Sequence, residues 1–374
     1  MDLIKWELVK IFKQKSLYII AICLFGWFSI IRIDGEELEI TKDVYRNWAG
    51  PITAEKIEKA QNVNKELTEY FSKNPEPNPR RSAESAVVEN IALTQNINNT
   101  IEERNKSLEK LIKSAKEDGD TALASKLELQ KDMYNDIKLD KISYYGAPRE
   151  AIDFVNVFGL ILTGVFLLIG LSGIYSNEHA SGVENYILSA KNGRAKTMVA
   201  KLFAAFIFTS VVVFVWEIFN LAMRTAIYGT EGWDLPIQLS HKYFASPYSL
   251  TFMEYHMMQV GIHLLAALAF AGVVVLISTL SKSTMLSFFV SGVLFGIPVL
   301  AQSIMDIESI WLNKALTFTL TNIMKVEGMY MNFMSVDIFG QPVLAPFVGV
   351  AVSFIVLTFA VFFARYLIGK KQIA

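Results

Sequence analysis

Six long apolar runs constrain this chain more than any other feature: 17–33, 152–175, 202–223, 253–280, 285–303 and 346–368. Each is close to the ~20 residues that a helix needs to cross a bilayer. Backbone groups inside lipid have no water to bond, so a run of this length must satisfy its hydrogen bonds internally, as a helix does. The spacing therefore predicts an all-α polytopic membrane protein with six transmembrane helices. Hydrophobic residues make up 52% of the 374, and the mean hydropathy is +0.35. A formal net charge of −1 supplies no field to attract nucleic acid, and no such partner is expected. The lone Cys23 lies in the first run and can form no intrachain disulfide.

Charge is segregated along the chain. Residues 34–150 hold about half of the 35 Lys+Arg and nearly two thirds of the 36 Asp+Glu. They form a soluble-like insert between the first and second runs. Three parts follow: 1–33, a leading helix and the first span; 34–150, the insert; and 151–374, spans two to six. Basic residues in short loops set orientation. With the N-terminus inside, the inner segments carry Lys5, Lys10, Lys13, Lys15, Lys191, Arg194, Lys196, Lys201, Lys282, Arg365, Lys370 and Lys371. The short outer loops carry only Arg224, Lys242, Lys314 and Lys325. This places both termini in the cytoplasm and the insert outside. The first run lacks a small-x-small cleavage site in "SIIRIDGE" and reads as a retained anchor. In residues 1–16, Ile4, Leu8, Ile11 and Phe12 share one helical face among lysines. That pattern fits a helix lying in the inner interface, or else an ordinary positive flank.

Within the insert, "PITAEKIEKAQNVNKELTEYFSK" from Pro51 is a helix former, and "NPEPNPRRS" breaks it. A longer helix is expected from Ser82 to Lys116, with Val87, Ile91, Ile97, Ile101, Leu108, Leu111 and Ile112 at near-heptad spacing. "EDGD" turns the chain into a third helix running to about Lys141. The result is an α-helical hairpin or small bundle, either a packed cap or a ligand-binding domain.

Motifs for chemistry within the chain are missing. There is no G-x-x-x-x-G-K-[ST] phosphate loop, no H-E-x-x-H, no G-x-S-x-G and no C-x-x-C. The chain is therefore not expected to be an enzyme, and no catalytic residue or metal ligand is assigned. Polar residues inside spans are costly in lipid and usually face protein or a cavity. Glu217, Asn220 and Arg224 fall at i, i+3 and i+7 on span three; His256, Gln259 and His263 repeat that spacing on span four. Glu217 and His263 are expected at similar depth. The set reads as a structural seam with Arg224 snorkelling outward, as a pathway lining, or as a site for a metal between two His and one Glu. In span five, Gly292 and Gly296 form a G-x-x-x-G that permits close helix approach, and Pro298 can break the helix. Residues 310–324 either re-enter the membrane or lie on its outer surface.

Between spans two and three the chain reads "SNEHASGVENYILSAKNGRAKTMVAK", residues 176–201. A short helix is expected from Gly182 to Ala190, with Val183, Tyr186, Ile187 and Ala190 on one face. Glu184 is early and Lys191 late, which suits the helix dipole. Asn192-Gly193 stops it. An exposed apolar and acidic face on the cytoplasmic side is suited to docking a soluble partner.

With six spans and a basic leading helix, this loop resembles the membrane subunits of ABC-2 type transporters. The large insert is more similar to permeases that export phenol-soluble modulins or antimicrobial peptides. In ABC-2 subunits a Glu before a Gly, then a basic residue entering span three, belongs to a coupling helix that inserts into a cleft of a separate ATP-binding subunit. The resemblance gives those roles to Glu178, Gly182, Glu184 and Arg194. It implies two copies of an ATP-binding subunit holding ATP and Mg, a second permease copy or similar chain, and no cofactor bound here. It also implies a bacterial cell membrane and an amphipathic or toxin peptide as substrate. A sensor or scaffold with a ligand-binding insert, and an ion-coupled transporter using Glu217, remain alternatives from other classes.

Overall fold

A computed structural model describes residues 2–29, 35–74, 76, 78–190, 193–304 and 310–370. Its regular structure is helical, apart from two short antiparallel ribbons among the described residues, and 229–251 is a largely irregular connection. It begins with α1 (Asp2–Phe12) and α2 (Lys15–Ser29). The insert supplies α3 (Gly35–Trp48), α4 (Ala54–Lys73), α5 (Pro79–Glu117) and α6 (Thr121–Asn135). The apolar bundle follows. Its first long helix, 146–180, is built from α7 (Gly146–Phe154), a π-helical turn at Val155–Gly159, α8 (Leu160–Leu171) and α9 (Ser176–Ala180). Then come α10 (Val183–Ser189), α11 (Gly193–Tyr228), α12 (Phe252–Leu280), α13 (Thr284–Ile304), α14 (Ile310–Thr317), α15 (Leu320–Lys325) and α16 (Ala345–Lys370).

Five described helices are long and apolar enough to cross a membrane, and they coincide with the second to sixth apolar runs. The first run differs. Its described part is α2, 15 residues, or ~22 Å at 1.5 Å per residue, short of a ~30 Å hydrocarbon core. Residues 30–33 of the expected span lie outside the described set.

The helix α12 is the centre of the bundle. Its buried stretch, with Ala266, Ala267, Ala269, Ala271, Gly272, Val274 and Val275, is dominated by small side chains. Small residues let helices approach where lipid offers no hydrophobic drive and packing alone must hold them. A methyl group at Gly272 would already touch Ala360 and Leu357 of α16 at 3.4 Å. By contrast α13 and α16 turn Phe289, Leu294, Ile297, Phe347, Ile355 and Phe362 outward, as lipid-facing helices do.

The expected break in span five is corrected. Pro298 lies inside α13, which continues through it to Ile304. Gly292 and Gly296 receive no close helix: the nearest atom to a methyl at Gly292 would be 3.9 Å away, and none lies within 4 Å at Gly296. Within this chain their face is open. Residues 310–324 break into α14 and α15 at Phe318 and Thr319, and Ile323 and Met324 of α15 are fully buried against α12.

In the insert, Thr53 caps α4 by accepting from the Lys56 amide, and Asn78 caps α5 by accepting from the Arg81 amide. Pro79 thus occupies the first turn of α5, where its missing N–H is harmless, so α5 starts earlier than expected. The α5 stripe buries Val87, Ile91, Ile97 and Leu108 but leaves Leu111 exposed. Near its far end α5 is joined to α6 by ion pairs, Lys116 with Glu128 and Glu109 with Lys131. The third helix ends at Asn135 rather than near Lys141. Lys141–Ile142 instead forms strand β2 against β1, Gly50–Pro51. The two ends of the stretch 52–140 therefore lie side by side, where Lys141 also pairs with Asp234, and Tyr134 and Asp136 bond to Ala245 and Ser249 nearby in the chain.

Candidate functional site

The 176–201 loop and the leading helix meet at one end of the bundle. Both the Tyr175 and Ser176 amides donate to Ser278 Oγ at 3.1 Å, and Thr284 Oγ1 donates to Asn177 Oδ1 at 2.6 Å. These bonds fix α9 to the end of α12 and the start of α13. Gly182 then turns the chain with φ +72°, a left-handed conformation that suits glycine. The helix α10 starts one residue later than expected. Across the turn His179 Nδ1 and Glu184 Oε2 lie 2.6 Å apart.

Behind the loop is a closed ring of charges. Lys201 Nζ, on α11, is 1% exposed; it donates to Glu7 Oε2 at 3.1 Å, Glu178 Oε1 at 2.8 Å and the Ile174 carbonyl at 2.6 Å. It also lies over the Tyr175 ring. Lys10 Nζ completes the ring, donating to Glu7 Oε1 at 2.7 Å and Glu178 Oε1 at 2.9 Å. Two carboxylates and two ammoniums balance, which is what makes burial of Lys201 tolerable. Burial works against the Lys10 charge, but its hydrogen bonds to Glu7 and Glu178 outweigh that and leave its pKa raised.

The six loop residues singled out in sequence separate into three groups. Glu178 points into the ring, with its side chain 14% exposed. Glu184 contacts His179, and Arg194 Nη1 donates to the Gly369 carbonyl at the end of α16. Val183 and Tyr186 are exposed, Tyr186 by 80%, and Gly182 is the hinge between these sets. Lys191 and Asn192 lie outside the described residues. Glu7 and Lys10 were not expected at this site. The signal for Glu7 was present, as an acid between Lys5 and Lys10 on an amphipathic helix. Lys201 had been read only as part of a positive flank.

The intramembrane set assembles in part. His256 Nε2 and Glu217 Oε1 are 2.7 Å apart, and Asn220 donates to Glu217 Oε2 at 3.3 Å and to the Ala151 carbonyl at 3.1 Å. Gln259 donates to Asn156 Oδ1 at 2.7 Å and to the Ile152 carbonyl at 3.2 Å. Asn156 belongs to the π-helical turn, an irregularity that often marks functional positions. There Gly159 lies beneath Trp216, where a methyl would sit 2.9 Å from the ring.

One expectation for this set is corrected. His263 does not reach Glu217: its Nδ1 meets the Met324 carbonyl at 2.8 Å and its Nε2 meets Thr163 Oγ1 at 2.8 Å. Helical rise places it about two turns below His256, so the partner chosen is the histidine nearer the helix start. Arg224 lies over the Phe154 ring, 5.7 Å from its centroid. Among the described residues no group of three or more His, Cys, Asp or Glu is placed to hold a metal.

Comparison with known proteins gives no relative: no family model, no curated protein and no solved structure matches the chain.

Proposed function

We propose that this chain is the membrane-spanning subunit of an ATP-driven exporter, with α10 as the element that docks a separate ATP-binding subunit. The observation that carries the reading is the contrast across α10. Val183 and Tyr186 are exposed on a short helix, while the polar groups around them are tied inward to His179, Gly369 and the Lys201 ring. A loop built only to connect two spans has no need of an apolar surface held from behind by buried charges. In this reading the N-terminus, α10 and the C-terminus are cytoplasmic, the insert is extracellular, and two ATP-binding subunits carry ATP and Mg. The open Gly292/Gly296 face is available to a second copy. An amphipathic peptide is the substrate class, since lipid-facing helices below a helical cap suit a cargo drawn from the bilayer.

Glu217 supports this over ion coupling. It is 8% exposed and both its oxygens are engaged, so it acts as a clasp between α11 and α12. The test is purification of the tagged chain from its native membrane. An ATP-binding protein should accompany it, and Val183→Ser with Tyr186→Ala should lose that protein at unchanged thermal stability. Absence of an ATPase from the wild-type preparation, or its full retention by the double variant, defeats the proposal.

A further inference from the structure

A groove of about 180 Å³ runs between α2, α8 and α11, lined by Phe12, Leu17, Ala21, Phe25, Phe208 and Trp216. Its walls are almost wholly apolar, so it favours hydrocarbon over water or a polar ligand. One end lies at the turn between α1 and α2, and that turn is held in place. Gln14 Nε2 donates to the Gly170 carbonyl of α8 at 3.1 Å, and the Phe12 and Phe208 rings meet edge to face at 5.5 Å.

The cations at this turn are the second observation. Lys10 is engaged by Glu7 and Glu178. Lys13 and Lys15, which flank Gln14, are exposed and have no ion pair among the described residues. In the chain they fall between Phe12 and Leu17, which both line the groove. Exposed Trp6 and Tyr18 are carried by the same two helices, the residue types that anchor at headgroup level.

We propose that this is a binding site for one anionic phospholipid, with an acyl chain in the groove and the phosphate held by Lys13 and Lys15. An apolar slot beginning at two free ammoniums matches the two ends of such a lipid. A zwitterionic lipid would fill the slot equally but bring no net charge to the lysines. The proposal needs only that the chain lies in a bilayer, and it stands or falls apart from ATP-subunit docking.

The test is native mass spectrometry of the full chain in detergent, offered dioleoyl phosphatidylglycerol or dioleoyl phosphatidylcholine. A lysine near an anionic headgroup contributes enough to predict a preference for phosphatidylglycerol of roughly tenfold or more. Lys13→Gln with Lys15→Gln, both exposed, should keep the fold and bind the two lipids equally. Ala21→Trp should fill the groove and retain neither. Should Ala21→Trp fold poorly, phosphatidylglycerol with brominated chains replaces it: bound lipid should quench a fluorescence component that Trp216→Phe removes. Equal retention of both lipids by the wild type would overturn the proposal. So would an unchanged preference in the lysine variant, full binding by a folded Ala21→Trp, absence of Trp216 quenching, or displacement of the lipid by glycerol phosphate.

Discussion

Two buried acid–base clusters hold this molecule, and they are built for different purposes. The ring around Lys201 links three separate pieces of chain: α1 through Glu7 and Lys10, α9 through Glu178, and α11 through Lys201 itself. The cluster around Glu217 joins long helices that already pack along their length, α11 to α12 through His256, and to α7 through the Asn220 bond to Ala151. Removing the second would leave α11 and α12 in contact through their apolar faces. Removing the first would leave α1 held by buried Ile11, the Phe12–Phe208 contact and the Gln14 bond to Gly170, and α9 held by its bonds to Ser278 and Thr284, but would remove the charges that lock the two to each other. Full charges are therefore placed where three separate pieces of chain meet, and a hydrogen-bonded clasp where long helices run side by side.

The largest effect should come from Lys201→Ala. It leaves Glu7 and Glu178 with Lys10 as their one remaining cation in the ring, and breaking a buried pair typically costs about 3–5 kcal/mol. Thermal unfolding should show the loss, and Lys201→Met combined with Glu7→Gln and Glu178→Gln should recover most of it. A drop no larger than that of a surface substitution would erase the distinction between the clusters.

Next is Glu217→Leu, which leaves His256 Nε2 without its partner and the Asn220 amide with only its bond to the Ala151 carbonyl, and should cost about 1–3 kcal/mol. Glu217→Gln keeps one oxygen to accept from Asn220 and offers an N–H to donate to His256 Nε2, and should be milder, with transport retained. Lost transport in the Gln variant at unchanged stability would show that the cluster lines the pathway and is no clasp.

The hinge gives a smaller effect. Gly182→Ala meets no neighbour within 4 Å but must hold φ +72°, a strain of about 1–2 kcal/mol. Deuterium exchange in 176–190 should rise while the bundle is unchanged; faster exchange throughout the bundle would contradict a local hinge.

The smallest change in stability should be that of Tyr186→Ala. The side chain is 80% exposed, and surface truncations usually stay within about 0.5 kcal/mol. If unfolding shifts well beyond that, Tyr186 packs on this chain and is not a free docking surface.

Features that depend on local pattern were legible in the sequence. The apolar runs placed the five long helices, and helical spacing placed the short helix α10 and put Glu217 and His256 on facing surfaces. Features that depend on distant partners were not. Gly50–Pro51 is too short to signal a strand, and its partner Lys141–Ile142 lies some 90 residues away. The helix α3, which buries Val44, Tyr45 and Trp48, carries four acids and drew no helix assignment. Periodicity alone could not choose between His256 and His263, because the choice rests on the offset between two helices. Gly292 and Gly296 look like a packing motif in one dimension, but the fold turns them away from this chain's other helices.

The ribbon that closes the insert does not act alone. Gly50 and Pro51 pair with Ile142 and Lys141, and the stretch between them, which includes the 39-residue helix α5, ~58 Å long, also reaches the bundle where Tyr134 donates to the Ala245 carbonyl and Ser249 donates to the Asp136 carbonyl. A bundle that meets the insert at several points feels its orientation as well as the distance between its two strands. Shortening or lengthening a chain between fixed ends alters loop-closure entropy only as the logarithm of its length. Reach is therefore freest to vary at the turn between α5 and α6, residues 118–120, the end of the hairpin opposite Tyr134 and Asp136.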